Sequence, residues 1–123
     1  MTFKLSQRSL DRMKGVDERL VNVVKRAIEI SEVDFCVTEG LRTVERQKQL
    51  VAAGASQTMK SKHLEGKAVD LAAIVDGKIR WDYSLYPKIN DAMQRAAEIL
   101  NTPIVWGGSW ITFKDGCHWQ LKD

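Results

Sequence analysis

The run Ala68-Val69-Asp70-Leu71-Ala72-Ala73-Ile74-Val75, followed by Asp76-Gly77, constrains this chain more than any other stretch. An apolar segment of that length closed by a two-residue turn signal predicts a buried strand turning back as a hairpin, with Ile79 and Trp81 on the returning strand. Asp70 breaks the run. An ionised carboxylate in a buried strand is costly unless it is paired or bound to a metal. The strand therefore raises a question that the rest of the chain has to answer.

Around this strand the periodicity alternates between helix and strand. Ser6 can cap a short helix that stops near Gly15, and Asp17 starts a stronger one whose Leu20, Val23, Val24, Ala27 and Ile28 form one apolar stripe. Val33 to Val37 reads as a short strand. Thr43 is placed to cap a third helix, with Val44, Leu50 and Val51 inward and Gly54 at its end. Residues 55–66 are polar and aperiodic, which predicts a loop. A fourth helix spans about 85–100, with Ile89, Met93, Ala96 and Leu100 on its inner side. Ile104-Val105-Trp106 reads as a strand ended by Gly107-Gly108, and Cys117 to Leu121 as the last one. Helices first, then hairpin-linked strands broken by one helix, predict an α+β fold with a small, largely antiparallel sheet packed with helices. With 123 residues and no repeat, linker or low-complexity tract, a single domain over 1–123 is expected.

Lys and Arg alternate with acids along the helices, and the net charge is only +3, so no concentrated patch points to nucleic acid. Met1-Thr2-Phe3-Lys4-Leu5-Ser6 lacks the apolar core of a secretory signal, and no run approaches the roughly 20 apolar residues of a membrane helix. A protein made in the cytosol, without stable membrane insertion, is expected. No exposed apolar stripe calls for a partner copy, so a monomer is expected as well. Cys36 and Cys117 lie in apolar stretches and read as small buried hydrophobes. A Cys117–His118 pair is geometrically poor, because neighbours on a strand point to opposite faces.

The two histidines of the chain, His63 and His118, each lie near an aspartate. His63 precedes the Asp70 strand, and Gly66 between them can fold the loop back over it. His118 opens the last strand. If that strand lies beside the Asp70 strand, two imidazoles and one carboxylate form a catalytic zinc set that leaves a position for water. Asp115-Gly116 is a turn signal that would bring Asp115 to the side of His118, where a carboxylate could act as general base. Solvated or merely hydrogen-bonded histidines are the alternative reading.

At these residues the chain closely resembles the M15 family of zinc peptidases, which holds D-alanyl-D-alanine carboxypeptidases and dipeptidases and phage L-alanyl-D-glutamate endolysins. Ser61, His63, Gly66, Ala68 and Asp70 match its SxHxxGxAxD motif, and Asp115 and His118 match its acid-x-x-His element. Gly40-Leu41-Arg42-Thr43 through Gln47 is similar to its G-Y-R-S-x-x-x-Q stretch, with Leu41 for Tyr and Thr43 for Ser. Trp106-Gly107-Gly108-Ser109-Trp110 resembles the endolysin WGGDW, with Ser109 for Asp.

The resemblance implies Zn2+ on His63, Asp70 and His118, with Asp115 as base. Arg42 would stabilise the oxyanion or hold a substrate carbonyl or carboxylate, and a surface salt bridge is its plain alternative. Gln47 would brace Arg42 or the loop, and Ser61 and Gln47 join Arg42 as substrate-binding residues. It implies an endolysin that cuts the L-Ala–D-Glu bond of peptidoglycan stem peptides. Such an enzyme would be made in the host cytoplasm, released to periplasmic murein by a holin, and carry no separate wall-binding module. D,D-carboxypeptidase or dipeptidase action is the near alternative. A non-catalytic zinc-stabilised wall-binding module is another, and a glycosidase using Glu39 and Asp70 as a carboxylate pair is more distant.

Overall fold

The computed structural model describes residues 2–54, 61–110 and 114–122. Helix α1 (Gln7–Arg12) begins where the Ser6 hydroxyl accepts the Ser9 N–H, and α2 (Glu18–Ile30) begins where the Asp17 carboxylate accepts the Arg19 N–H. Leu20, Val23, Val24, Ala27 and Ile28 of α2 are all buried. Strand β1 (Asp34–Glu39) and helix α3 (Val44–Ala52) follow, then a 3₁₀ turn over Lys62–Glu65. Strand β2 (Ala68–Val75) turns through Asp76-Gly77 into β3 (Lys78–Arg80), and a 3₁₀ turn leads into α4 (Tyr86–Ile99). Strand β4 (Ile104–Trp106), a 3₁₀ turn over Gly107–Ser109 and β5 (His118–Leu121) complete the order.

Every strand pairing is antiparallel, along the path β1-β2-β5-β4 with β3 on the far half of β2. This is the α+β architecture expected from the sequence. Alternation along β2 gives the sheet two different faces. Val69, Leu71 and Ala73 join Phe35, Val37, Trp119 and Leu121 against α2 and α4 in the core. Asp70 points the other way. Register places it directly opposite His118 of β5 on one side and Glu39 of β1 on the other, and residues directly opposite share a face.

Several details differ from expectation. Val44 is exposed, Leu50 and Val51 are half-buried, and the fully buried residue of α3 is Gln47, whose side chain bonds Arg42. Leu100 is the C-cap of α4 and exposed, since the inner stripe ends one turn earlier. Trp81 falls beyond the end of β3 and is exposed, as is Ile79 on this short edge strand. Of the expected loop, residues 61–66 contain the 3₁₀ turn and residues 55–60 lie outside the described residues. Cys36 and Cys117 are only half-buried.

Candidate metal centre

His63 reaches the Asp70 face from the 3₁₀ turn, held at several points. The Ser61 hydroxyl accepts the His63 N–H, the His63 carbonyl accepts the Arg42 N–H at 2.9 Å, and His63 Nδ1 lies 2.8 Å from the Gly40 carbonyl. Gly66 closes the turn with φ +69°, a conformation that favours glycine, and its carbonyl accepts the Asp17 N–H at 2.7 Å. The turn after His63 is thereby tied to the start of α2. His118 is placed by β5, and its Nε2 lies 2.8 Å from the Gln120 side-chain oxygen.

These outer contacts decide where the ring protons are. A backbone carbonyl can only accept, so a neutral His63 carries its proton on Nδ1. With the Gln120 amide oxygen turned to it, a neutral His118 carries its proton on Nε2. The remaining nitrogens then present lone pairs to each other at 3.2 Å, and to Asp70 Oδ1 at 3.2 and 3.3 Å. With both rings neutral, three electron-rich atoms converge with no proton among them, an arrangement that a proton or a metal cation resolves. Among the described residues Asp70, Asp115 and Glu39 stand against the Arg42 guanidinium, which leaves a charge that complements a divalent ion. The donor set of two imidazoles and a carboxylate suits zinc.

Electrostatics agree. Burial alone would raise the Asp70 carboxyl, but hydrogen bonds and charge from His118 and His63 outweigh it and hold it well below the usual carboxylate range. Burial would depress His118, yet the hydrogen bond and charge of Asp70 move it upward. An acid held ionised in this way cannot protonate a leaving group, and Glu39 is engaged elsewhere. Glu39 and Asp70 face each other across the strands, but with Asp70 held ionised and both Glu39 oxygens on Arg42 neither supplies the proton a glycosidase needs.

Asp115 arrives by the expected turn. Its carbonyl accepts the His118 N–H at 3.1 Å, and its own N–H donates to Gly107 at 3.0 Å. One carboxylate oxygen accepts the Cys117 thiol at 3.1 Å, and Asp115, Asp70 and Cys117 bring ligand atoms within 4.8 Å of one another. Cys117 is thus a partner of Asp115 rather than an apolar filler. Burial, followed by the nearby Asp70 and Asp115, pushes its thiol far up, so it stays protonated and donates. Gly107 lies against the Asp115 carbonyl and His118 Cβ, leaving no room for a side chain, and the Ser109 hydroxyl turns back onto the Trp106 carbonyl at 2.7 Å.

Arg42 is no surface salt bridge, with its side chain 8% exposed. Nε and Nη2 donate to the two Glu39 oxygens, both at 2.8 Å. Nη1 donates to Gln47 Oε1 at 2.7 Å and approaches Ser61 Oγ at 3.5 Å, while Nη2 lies 3.7 Å from Asp70 Oδ2. Gln47 is fully buried and bonds Arg42 rather than facing open substrate space. Ser61 is half-buried beside the same guanidinium. Sequence reasoning gave Glu39 no part in this centre. Its proximity to Arg42 in sequence was visible, but its direction was not.

Over residues 1–119 the chain matches the family model described as phage L-alanyl-D-glutamate peptidase. It is 34% identical to the L-alanyl-D-glutamate peptidase of Escherichia phage T5, over 99% of this chain and 91% of that protein. The crystal structure of the Serratia marcescens L-Ala D-Glu endopeptidase ChiX superimposes with a TM-score of 0.93 at 42% identity, covering 98% of this chain and 91% of the other. The vancomycin-resistance D,D-pentapeptidase VanY, in a mutant form solved with Zn(II), shares the fold at a TM-score of 0.61 and 18% identity, over 86% of this chain and 72% of its own. The chain belongs to the family of phage L-alanyl-D-glutamate peptidases.

Proposed function

We propose that this peptidase is zinc-dependent and hydrolyses the L-Ala–D-Glu amide of peptidoglycan stem peptides. The observation that carries the zinc assignment is the convergence of His63 Nε2, Asp70 Oδ1 and His118 Nδ1, with the outward ring nitrogens of both histidines already engaged. These three atoms would hold the ion. When bound, zinc polarises the scissile carbonyl and makes water a stronger nucleophile. The bond preference rests on the family and on ChiX, which is named for that bond.

The protein's own groups divide the remaining work. Asp115 takes a proton from the attacking water and later delivers it to the leaving amine as the C–N bond breaks. Arg42 faces the negative charge that develops on the carbonyl oxygen, where a fixed guanidinium stabilises it. Ser61 and Gln47 act beside Arg42. On this reading the chain is a single catalytic domain that works as a monomer on periplasmic murein after a holin-type pore admits it. The phage character of the family supports that last step.

Chelation with EDTA is expected to abolish release of peptide from purified murein, and added zinc to restore it. Activity indifferent to both would end the zinc reading. Sequencing the released fragments separates the bonds. New N-terminal D-Glu supports the proposal, released D-Ala supports D,D-carboxypeptidase action, and no cleavage with zinc bound supports a binding module.

A further inference from the structure

Strand β1 breaks its regular pairing just before the metal centre. Phe35, Cys36 and Val37 pair in step with Ala73, Ala72 and Leu71, but the next partner of β2, Asp70, lies opposite Glu39 rather than Thr38. Thr38 is the extra residue of a β-bulge, its hydroxyl donating to the Asp70 carbonyl at 3.2 Å. Without the bulge, alternation would send Glu39 to the same face as Phe35 and Val37, into the apolar core. Bulges beside active sites re-aim side chains, and this one turns Glu39 onto the face of Asp70 and His118.

There it meets Arg42 with both oxygens, at 2.8 Å each. The guanidinium edge made by Nε and Nη2 is saturated. Nη1 gives one hydrogen to Gln47 Oε1 at 2.7 Å, and among the described residues the remaining Nη hydrogens meet only the long approaches to Ser61 and Asp70, which leaves them for a substrate oxygen. Glu39 also carries the charge that lets a cation stand beside a divalent ion, since Arg42 and a metal on Asp70 would otherwise repel. We infer that Glu39 is a positioning residue for the peptidase reaction, aimed by the Thr38 bulge to fix the Arg42 guanidinium and hold its remaining Nη hydrogens towards the substrate carbonyl. This rests on the reading of Arg42 as the group that faces developing charge.

The test is a double-mutant cycle of Glu39→Gln and Arg42→Ala on a defined stem peptide, with zinc content and Tm measured for each variant. Arg42→Ala is expected to lower kcat by about 10²–10³-fold, as loss of one oxyanion donor does. Glu39→Gln keeps the shape but weakens the fork, and is expected to lower kcat by at least tenfold. KM should stay within about twofold and zinc at full occupancy, because a misplaced group mainly costs the transition state. In the Arg42→Ala background Glu39→Gln should have almost no further effect, because the two residues act as a unit. Glu39→Asp, which keeps the charge but is a methylene short, should resemble Glu39→Gln. Effects that multiply independently would overturn the proposal, as would native kcat in Glu39→Gln or full recovery in Glu39→Asp. Native activity in Arg42→Ala would instead overturn the arginine reading itself.

Discussion

Asp70 and Asp115 present oxygens within 4.8 Å of each other, yet the chain holds them for different work. Asp70 sits in the middle of a strand between two imidazoles, where its ionised form is held down in pKa. Asp115 sits on a turn with one oxygen on the Cys117 thiol. Removing Asp115 takes away a carboxylate that repels Asp70, and leaves the converging atoms of His63, Asp70 and His118 untouched. Asp115→Ala should therefore keep the fold and bind zinc stoichiometrically, while kcat on a stem peptide falls by about 10²–10⁴-fold, the usual worth of a general base. Near-native turnover in that variant would move the base elsewhere. At this scale the sequence was informative, because an aspartate in an apolar strand and the two histidines each stand out by chemistry alone. Glu39 stood out only as half of a distant glycosidase pair, not as a partner of Arg42. Its role depends on a one-residue slip in strand pairing, and no residue type announces a slip.

Secondary elements place these groups through a few junctions, of which Gly66 is the tightest. Its φ of +69° is strained for any other residue, and a Cβ there would collide with the Gly15 carbonyl oxygen. Gly66→Ala should cost at least about 1–3 kcal/mol of stability from the backbone conformation alone. The collision would also separate the His63 turn from the start of α2. Weaker zinc binding in a chelator competition, together with a lower denaturation midpoint, is the expected result. An unchanged zinc affinity would show that His63 is held by Gly40 and Arg42 without this junction. The elements themselves were largely legible: caps at Ser6, Asp17 and Thr43 and the stripe of α2 all follow local rules. Helix α3 was misread in orientation. Its Val44, Leu50 and Val51 suggested an apolar inner face, but Val44 is exposed, Leu50 and Val51 are half-buried, and the fully buried residue is Gln47, bonded to Arg42.

For the molecule as a whole, the metal centre couples protonation to stability, and the sign depends on whether the ion is bound. Without metal, Asp70 has a lowered pKa, so its contribution is present above the ordinary carboxylate range and disappears as pH falls through its folded value. His118 has a raised pKa, so its contribution is complete below the ordinary imidazole value of about 6.5 and is lost as pH rises through the folded value. A proton on His118 then occupies the place between the lone pairs that a cation would take. The metal-free protein should thus be most stable between roughly pH 4 and 6.5, and lose stability towards pH 8. Zinc needs both imidazoles deprotonated, so its stabilisation grows over the same interval in which the proton's is lost. Thermal unfolding in EDTA and in excess zinc, from pH 5.5 to 8, is expected to give two Tm curves that diverge as pH rises. Parallel curves would mean that zinc and the His118 proton do not compete for one site, and that the ion binds away from His63, Asp70 and His118.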